Sequence, residues 1–286
     1  MRVPAEVELV RPLNCMLAGL AVLIGVFIIG ESARVPWTSY EFVRAALAFA
    51  AAVLIAGAGN AVNDYFDRNI DKVNRPKRPI PSGRVEPSTA LNISQAMFAL
   101  GILLVIPINW ECVIIAALNS LILASYAARL KRIGIAGNIA IGYLVGSTFI
   151  FGGLVIGELQ VASILAAMAV LATVGRELIK DIEDMKGDRA NKIVTIPLRY
   201  GTRKAAALAT AFIAAAIVLA PLPRILYSSI FGSVYLGVAT VSIVVFIAAA
   251  ALILGAQDKA TAANASLACK VAMGIGLLAF LVATVA

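Results

Sequence analysis

The chain has 286 residues, of which 61% are hydrophobic and only 14% charged, and its mean hydropathy is +0.94. Water-soluble domains are apolar over nearer half their residues, so composition excludes one and points to an integral membrane protein. The net charge of +8, from 24 Lys and Arg against 16 Asp and Glu with no His, suits anionic headgroups and phosphates, and no nucleic-acid partner is expected.

In chain order, apolar stretches run approximately over 13–30, 42–62, 89–107, 111–128, 134–156, 160–179, 204–222, 229–254 and 266–286. Each approaches the ~20 residues that a helix needs to cross a bilayer. The expectation is an all-α membrane protein, one domain over 1–286, with about nine transmembrane helices. Arg2 and Arg11 precede the first stretch as in a signal peptide, but no small-residue cleavage site followed by a soluble domain appears. The first helix is therefore expected to be retained. Cys15, Cys112 and Cys269 lie in or beside spans without a CxxC pair and read as packing residues.

Short cytoplasmic loops collect Lys and Arg. With the N-terminus in the cytoplasm, Arg34, Arg44 and Arg224 fall outside and the other 21 of 24 basic residues inside. The inner ones concentrate after the second stretch (Arg68, Lys72, Arg75, Lys77, Arg78, Arg84) and after the sixth (Lys186, Arg189, Lys192, Arg199, Arg203, Lys204). Any chemistry is expected on that cytoplasmic face.

The same two places carry acids. After the second helix stand Asn63, Asp64, Asp67 and Asp71, and after the sixth stand Asp181, Asp184 and Asp188. Both aspartate sets read D-x2-D-x3-D, offset by 117 positions, and Asn74-Arg75 is echoed by Asn191-Lys192. A duplicated four-helix unit explains the echo, and membrane proteins often build a site at such a repeat. At ~100° per residue, Asn63, Asp67 and Asp71 form one helical stripe with Asp64 beside it, and the second set forms another. Crowded carboxylates repel unless a cation sits among them. Oxygen donors without His or Cys favour Mg²⁺ or Ca²⁺, and Mg²⁺ is typically held by one or two carboxylates, water and substrate phosphate. Basic neighbours would bind the rest of a polyphosphate. A single acidic cluster at a helix end is ordinarily solvated surface; two matched clusters on one side of a membrane protein read as functional.

"NDYFDRNIDKVNRPKRPIPSG" and, far downstream, "GRELIKDIEDMKGDRANKIVTIPLRYG" resemble the two signature loops of the UbiA superfamily of intramembrane prenyltransferases. The likeness spans essentially the whole chain. The family patterns NxxxDxxxD and DxxxD fall on Asn63, Asp67 and Asp71 and on Asp184 and Asp188, with Asp64 and Asp181 as adjacent acids. The resemblance implies nine helices around a lipid-open central chamber with a cytoplasmic cap, the two Asp-rich motifs following helices 2 and 6. It further implies Mg²⁺ bound by these acids, a prenyl diphosphate donor, and a lipophilic acceptor drawn from the membrane lipid phase. Arg11, Arg68, Lys131 and Arg132 are the candidate phosphate binders, Tyr126 matches a family tyrosine near the reacting carbon, and Asn14, one turn from Arg11 on the first helix, is placed to support the same site. Tyr126 equally fits an interfacial belt, and Asn14 helix packing.

Within the family, "ELVRPLNCMLAGLAVLIG", "RPKRPIPSGR" and "GRELIKDIEDMKGD" look most like the archaeal branch, which joins geranylgeranyl to the sn-2 hydroxyl of geranylgeranylglyceryl phosphate. An aromatic-acceptor member, serving quinone or heme precursors, is the alternative. A divalent-cation transporter is a third reading, but it predicts acids deep within the spans, and "LAFAAAVLIAGA" has none.

Overall fold

The computed structural model describes residues 4–190 and 193–285 of the chain. Arg2, Asn191 and Lys192, and the side chain of Asn74, lie outside the described residues. Twelve α-helices run in order: α1 Ala5–Val10, α2 Pro12–Ser32, α3 Ser39–Asn74, α4 Pro87–Leu104, α5 Trp110–Ala128, α6 Gly134–Ile156, α7 Gln160–Ala190, α8 Ile196–Tyr200, α9 Thr202–Leu219, α10 Leu222–Leu226, α11 Ser233–Gly255 and α12 Lys259–Val285. Among the described residues, nine helices are long and apolar enough to cross a membrane. The expected all-α, nine-span architecture is met.

The acids lie on helices, as their stripe spacing implied: α3 and α7 continue unbroken past their apolar stretches to Asn74 and Ala190, so the basic residues expected in the following loops are in part helical as well. Arg68, Lys72, Lys186 and Arg189 are helical for the same reason. Hydropathy reports where lipid contact ends, whereas Asn, Asp, Lys and Arg remain acceptable in a helix that has left the lipid. Arg11 precedes the first spanning helix, as expected. It caps α1 in the left-handed region, φ 55° and ψ 69°, and α2 begins at Pro12. Proline lacks the N–H that would continue α1 and pushes its predecessor out of the right-handed helical region.

The chain divides into two compact units. One takes the residues up to Phe27, Val35–Arg129 and Phe151–Glu158. Here α3 starts from a capping box, in which Thr38 Oγ1 accepts from Tyr40 N at 3.2 Å and Glu41 accepts from Thr38 N at 3.3 Å. Asn109 caps α5 by accepting from Cys112 N at 2.7 Å, and its amide donates to Leu154 O at 2.8 Å. Ala45, Ala48, Ala51 and Ile55 of α3 pack with Val22 and Val26 of α2, Cys112 and Ala116 of α5, and Phe151 and Val155 of α6. Small residues let these helices approach closely: a Cβ on Gly152 would lie 2.9 Å from Val26 N. Gly152 thus mediates a close helix contact within this chain.

The other unit takes Ile28–Arg34, Leu130–Ile150 and the residues from Leu159 onward. Its core joins Leu178, Ile179 and Ile182 of α7 to Ala205, Ala209 and Ile213 of α9, Ala249 and Ile253 of α11, and Ala265, Cys269 and Ala272 of α12. Ser242 Oγ donates to Ala272 O at 2.7 Å, tying α11 to α12. All three cysteines are buried and unbridged, as expected of packing residues.

Candidate active site

In the first unit, the last turns of α3 sort their polar groups into two surroundings. Asn63 and Asp67 are half-buried, and Asn63 Nδ2 donates to Asp67 Oδ2 at 3.1 Å. Asp64 and Asp71 are buried, with side chains only 3% and 7% exposed, and both accept from arginine. Asp64 Oδ1 receives an Arg11 Nη2 hydrogen and, at 3.2 Å, Arg78 Nη1; the same Nη1 reaches Asp71 Oδ2 at 2.5 Å. Two guanidinium groups and two carboxylates thus form one compact, charge-balanced network.

The chain builds this network from three directions. α3 supplies the acids, the α1–α2 elbow supplies Arg11, and the turn after α3 supplies Arg78. That turn is set by Pro79, whose carbonyl accepts from Arg84 N at 3.0 Å and Val85 N at 3.1 Å. Leu9 of α1, fully buried, packs with Ala61, Ile80, Val85 and Ala90. Arg84 grips Glu8 in a two-pronged pair, 2.6 and 3.1 Å, and this hydrogen bonding holds the Glu8 carboxyl below its usual range. Asn60 Nδ2 donates to Val10 O at 2.9 Å, fixing the elbow against α3.

Other expected residues fall elsewhere. Arg68 donates to Tyr65 O at 2.7 Å and stacks over the Tyr65 ring at 4.6 Å, so its guanidinium is engaged by its own helix. Asn14 is exposed near the start of α2, and Tyr126 is half-buried in the last turn of α5.

In the second unit, Asp181 and Asp188 of α7 are half-buried and Asp184 is exposed. Asn138 of α6, itself buried, donates to Asp181 Oδ2 at 2.8 Å. Half-buried Lys131 and exposed Arg132 sit on a 3₁₀ turn, Leu130–Arg132. A parallel bridge pairs Ile133 with Val194, and Arg132 O accepts from Val194 N at 3.5 Å. This brings the basic turn beside the segment that leaves the second acid stripe. Gly134 permits the approach: its φ is +33°, and a Cβ there would lie 2.5 Å from Val194 O.

The donor chemistry fits a hard divalent ion. The first stripe offers carboxylate and amide oxygens and the second carboxylates, with no His in the chain. Among the described residues no three acids gather into a complete metal cage. Mg²⁺ does not demand one, since it keeps waters and uses one or two carboxylates with substrate phosphates. Asn63 with Asp67 meets that description.

Residues 18–281 match the UbiA prenyltransferase family. The chain belongs to this family. This UbiA chain is 47% identical over 215 residues to the digeranylgeranylglyceryl phosphate synthase of Methanothrix thermoacetophila, covering 74% of this chain and 77% of the relative. It is similar, at TM-score 0.89 and 37% identity over 98% of each chain, to a solved structure concerned with digeranylgeranylglyceryl phosphate synthase in membranes. A UbiA homolog from Archaeoglobus fulgidus bound to GPP and Mg²⁺ shares the fold at TM-score 0.65 and 16% identity, over 96% of this chain and 99% of that one. The expected UbiA membership, and with it a multi-pass membrane prenyltransferase, holds. Sequence reading missed two polar partners within this UbiA chain. Arg78 was placed only among the basic loop residues, and Asn138 was passed over; a lone Asn in an apolar span was the available signal for the latter.

Proposed function

We propose that the chain transfers a geranylgeranyl group from its diphosphate to the sn-2 hydroxyl of geranylgeranylglyceryl phosphate, with Mg²⁺, at the cytoplasmic face of the membrane. The observation that carries the acceptor is the likeness to relatives bearing the digeranylgeranylglyceryl phosphate synthase name. The positive-inside asymmetry supports a cytoplasmic N-terminus. The 117-position echo supports a single domain built by duplication.

On this reading the candidate metal ligands are Asn63, Asp64, Asp67 and Asp71 on α3, and Asp181, Asp184 and Asp188 on α7. Mg²⁺, when bound, would stabilise negative charge on the departing diphosphate. Arg11, Lys131 and Arg132 are the candidates to bind substrate phosphate oxygens through cationic hydrogen bonds. Arg68 is the weaker candidate, since its guanidinium is engaged at Tyr65. Tyr126 would face the allylic carbon as C1 gains cationic character, and Asn14 would support Arg11. Apolar spans keep water from the allylic cation until the acceptor hydroxyl attacks C1.

The test incubates purified protein with Mg²⁺, radiolabelled geranylgeranyl diphosphate, and either geranylgeranylglyceryl phosphate or 4-hydroxybenzoate. Labelled diether phosphate is expected. A labelled aromatic product would overturn the acceptor and retain prenyl transfer. Mg²⁺ flux into liposomes without prenyl diphosphate would instead support a transporter.

A further inference from the structure

Asp64 differs from Asp67 in what already surrounds it, and shares Arg78 with Asp71. Its side chain is 3% exposed, whereas Asp67 is half-buried. It accepts from both Arg11 and Arg78 through the same oxygen, Oδ1. A divalent cation on that carboxylate would stand within a few ångströms of two guanidinium charges in a poorly hydrated place, where like charges repel strongly. Around the helix Asp64 lies about 60° from Asp67 and about 20° from Asp71, and Arg78 bridges it to Asp71.

The arginines have spare capacity. A guanidinium offers five N–H donors in a planar fork, and these contacts engage one nitrogen of Arg11 and one of Arg78. Their side chains remain 31% and 17% exposed. Arg11 is held where it is at a backbone cost, since φ 55° is a strained conformation for a non-glycine residue. Such a conformation persists where surrounding contacts impose it, and here those contacts are Asp64 and the Asn60 amide on Val10 O.

We propose that Asp64 is a positioning residue and not a metal ligand: it orients Arg11 and Arg78 as a pair of guanidinium forks that read the phosphate oxygens of a substrate. This rests on the prenyl-transfer reading above. It divides the labour within α3, with Asn63 and Asp67 facing the cation and Asp64 facing the arginines. Phosphate oxygens come from two sources under that reading, the donor diphosphate and the acceptor monophosphate.

The experiment measures Mn²⁺ binding by electron paramagnetic resonance and inorganic diphosphate binding by calorimetry, in wild type, Asp64→Asn, Asp67→Asn, Arg78→Gln and the Asp64→Asn/Arg78→Gln double variant. Asp64→Asn is expected to keep Mn²⁺ affinity within about twofold, while Asp67→Asn weakens it on the order of tenfold or more, as loss of a charged ligand does. KM for donor and for acceptor are then measured separately. Asp64→Asn and Arg78→Gln each raise KM for one phosphate-bearing substrate by about tenfold, with little change in kcat. The double variant is no worse than Arg78→Gln alone. A rise for the donor assigns the fork to the diphosphate, and a rise for the acceptor assigns it to the monophosphate.

Loss of Mn²⁺ affinity in Asp64→Asn comparable to Asp67→Asn would overturn the proposal. So would multiplicative effects of Asp64→Asn and Arg78→Gln. If Asp64→Asn does not fold, Arg78→Gln and Arg78→Lys carry the test: unchanged KM for both substrates in both variants rejects the fork. Mn²⁺ and inorganic diphosphate binding do not depend on the organic acceptor, so an aromatic product from wild type would remove the lipid assignment without touching the role of Asp64.

Discussion

Replacing Asp67 by Ala removes a half-buried carboxylate that accepts from Asn63, and replacing Asp184 by Ala removes an exposed one. Neither deletes core packing, so both variants are expected to fold normally and to lose prenyl transfer; near-normal turnover in either would sink its assignment as a metal ligand. Asp64→Ala has a different expected phenotype. Removing it takes a buried carboxylate from two charged hydrogen bonds and costs on the order of 1–3 kcal/mol, against less than about 1 kcal/mol for a solvated side chain. Thermal unfolding in detergent should therefore fall markedly for Asp64→Ala and little for Asp67→Ala, and equal shifts would contradict the partition into buried and accessible acids. Sequence made the acids legible because their spacing repeats. It did not reveal that Arg78 meets Asp64 and Asp71, because that contact depends on a turn through Pro79 that brings a basic residue back onto its own helix.

At the scale of elements, the spans were legible because a bilayer demands a minimum apolar length, and nine runs met it. Helix ends were not, because a helix beyond the lipid is no longer selected for hydropathy; α3 and α7 outrun their apolar stretches for this reason. The short α1 was also missed, being too brief to show a period. Its docking carries a pH signature. The Arg84 hydrogen bonds lower the folded-state pKa of Glu8 below the model-compound 4.5, so the pair's stabilisation is present above that value and is lost as pH falls through the depressed one. Amide exchange around Leu9 is expected to quicken as pH falls below the ordinary carboxylate range, and Glu8→Gln should remove this dependence. Close helix approach gives a second check. Gly152→Val would drive a side chain into the α2 backbone near Val26 and is expected to destabilise by about 1–3 kcal/mol. Gly237→Val, where a Cβ meets nothing within 4 Å, should leave the melting temperature unchanged.

For the whole molecule, the length of α3 sets where chemistry meets lipid. Its 36 residues extend about 54 Å at 1.5 Å each, while the hydrocarbon core is only about 30 Å thick. The apolar run ends just before Asn63, which places the acids at headgroup depth. A prenyl diphosphate with its tail in the bilayer carries its own charged end at that depth, so under the proposed function it would reach the acids by sliding sideways without leaving the membrane. Turnover should then follow the mole fraction of donor in the bilayer and not its concentration in the tube: diluting the donor with inert phospholipid at fixed total amount should slow the enzyme, and adding buffer should not. The catalyst would in effect work on a two-dimensional solution, with its rate set by how crowded the leaflet is.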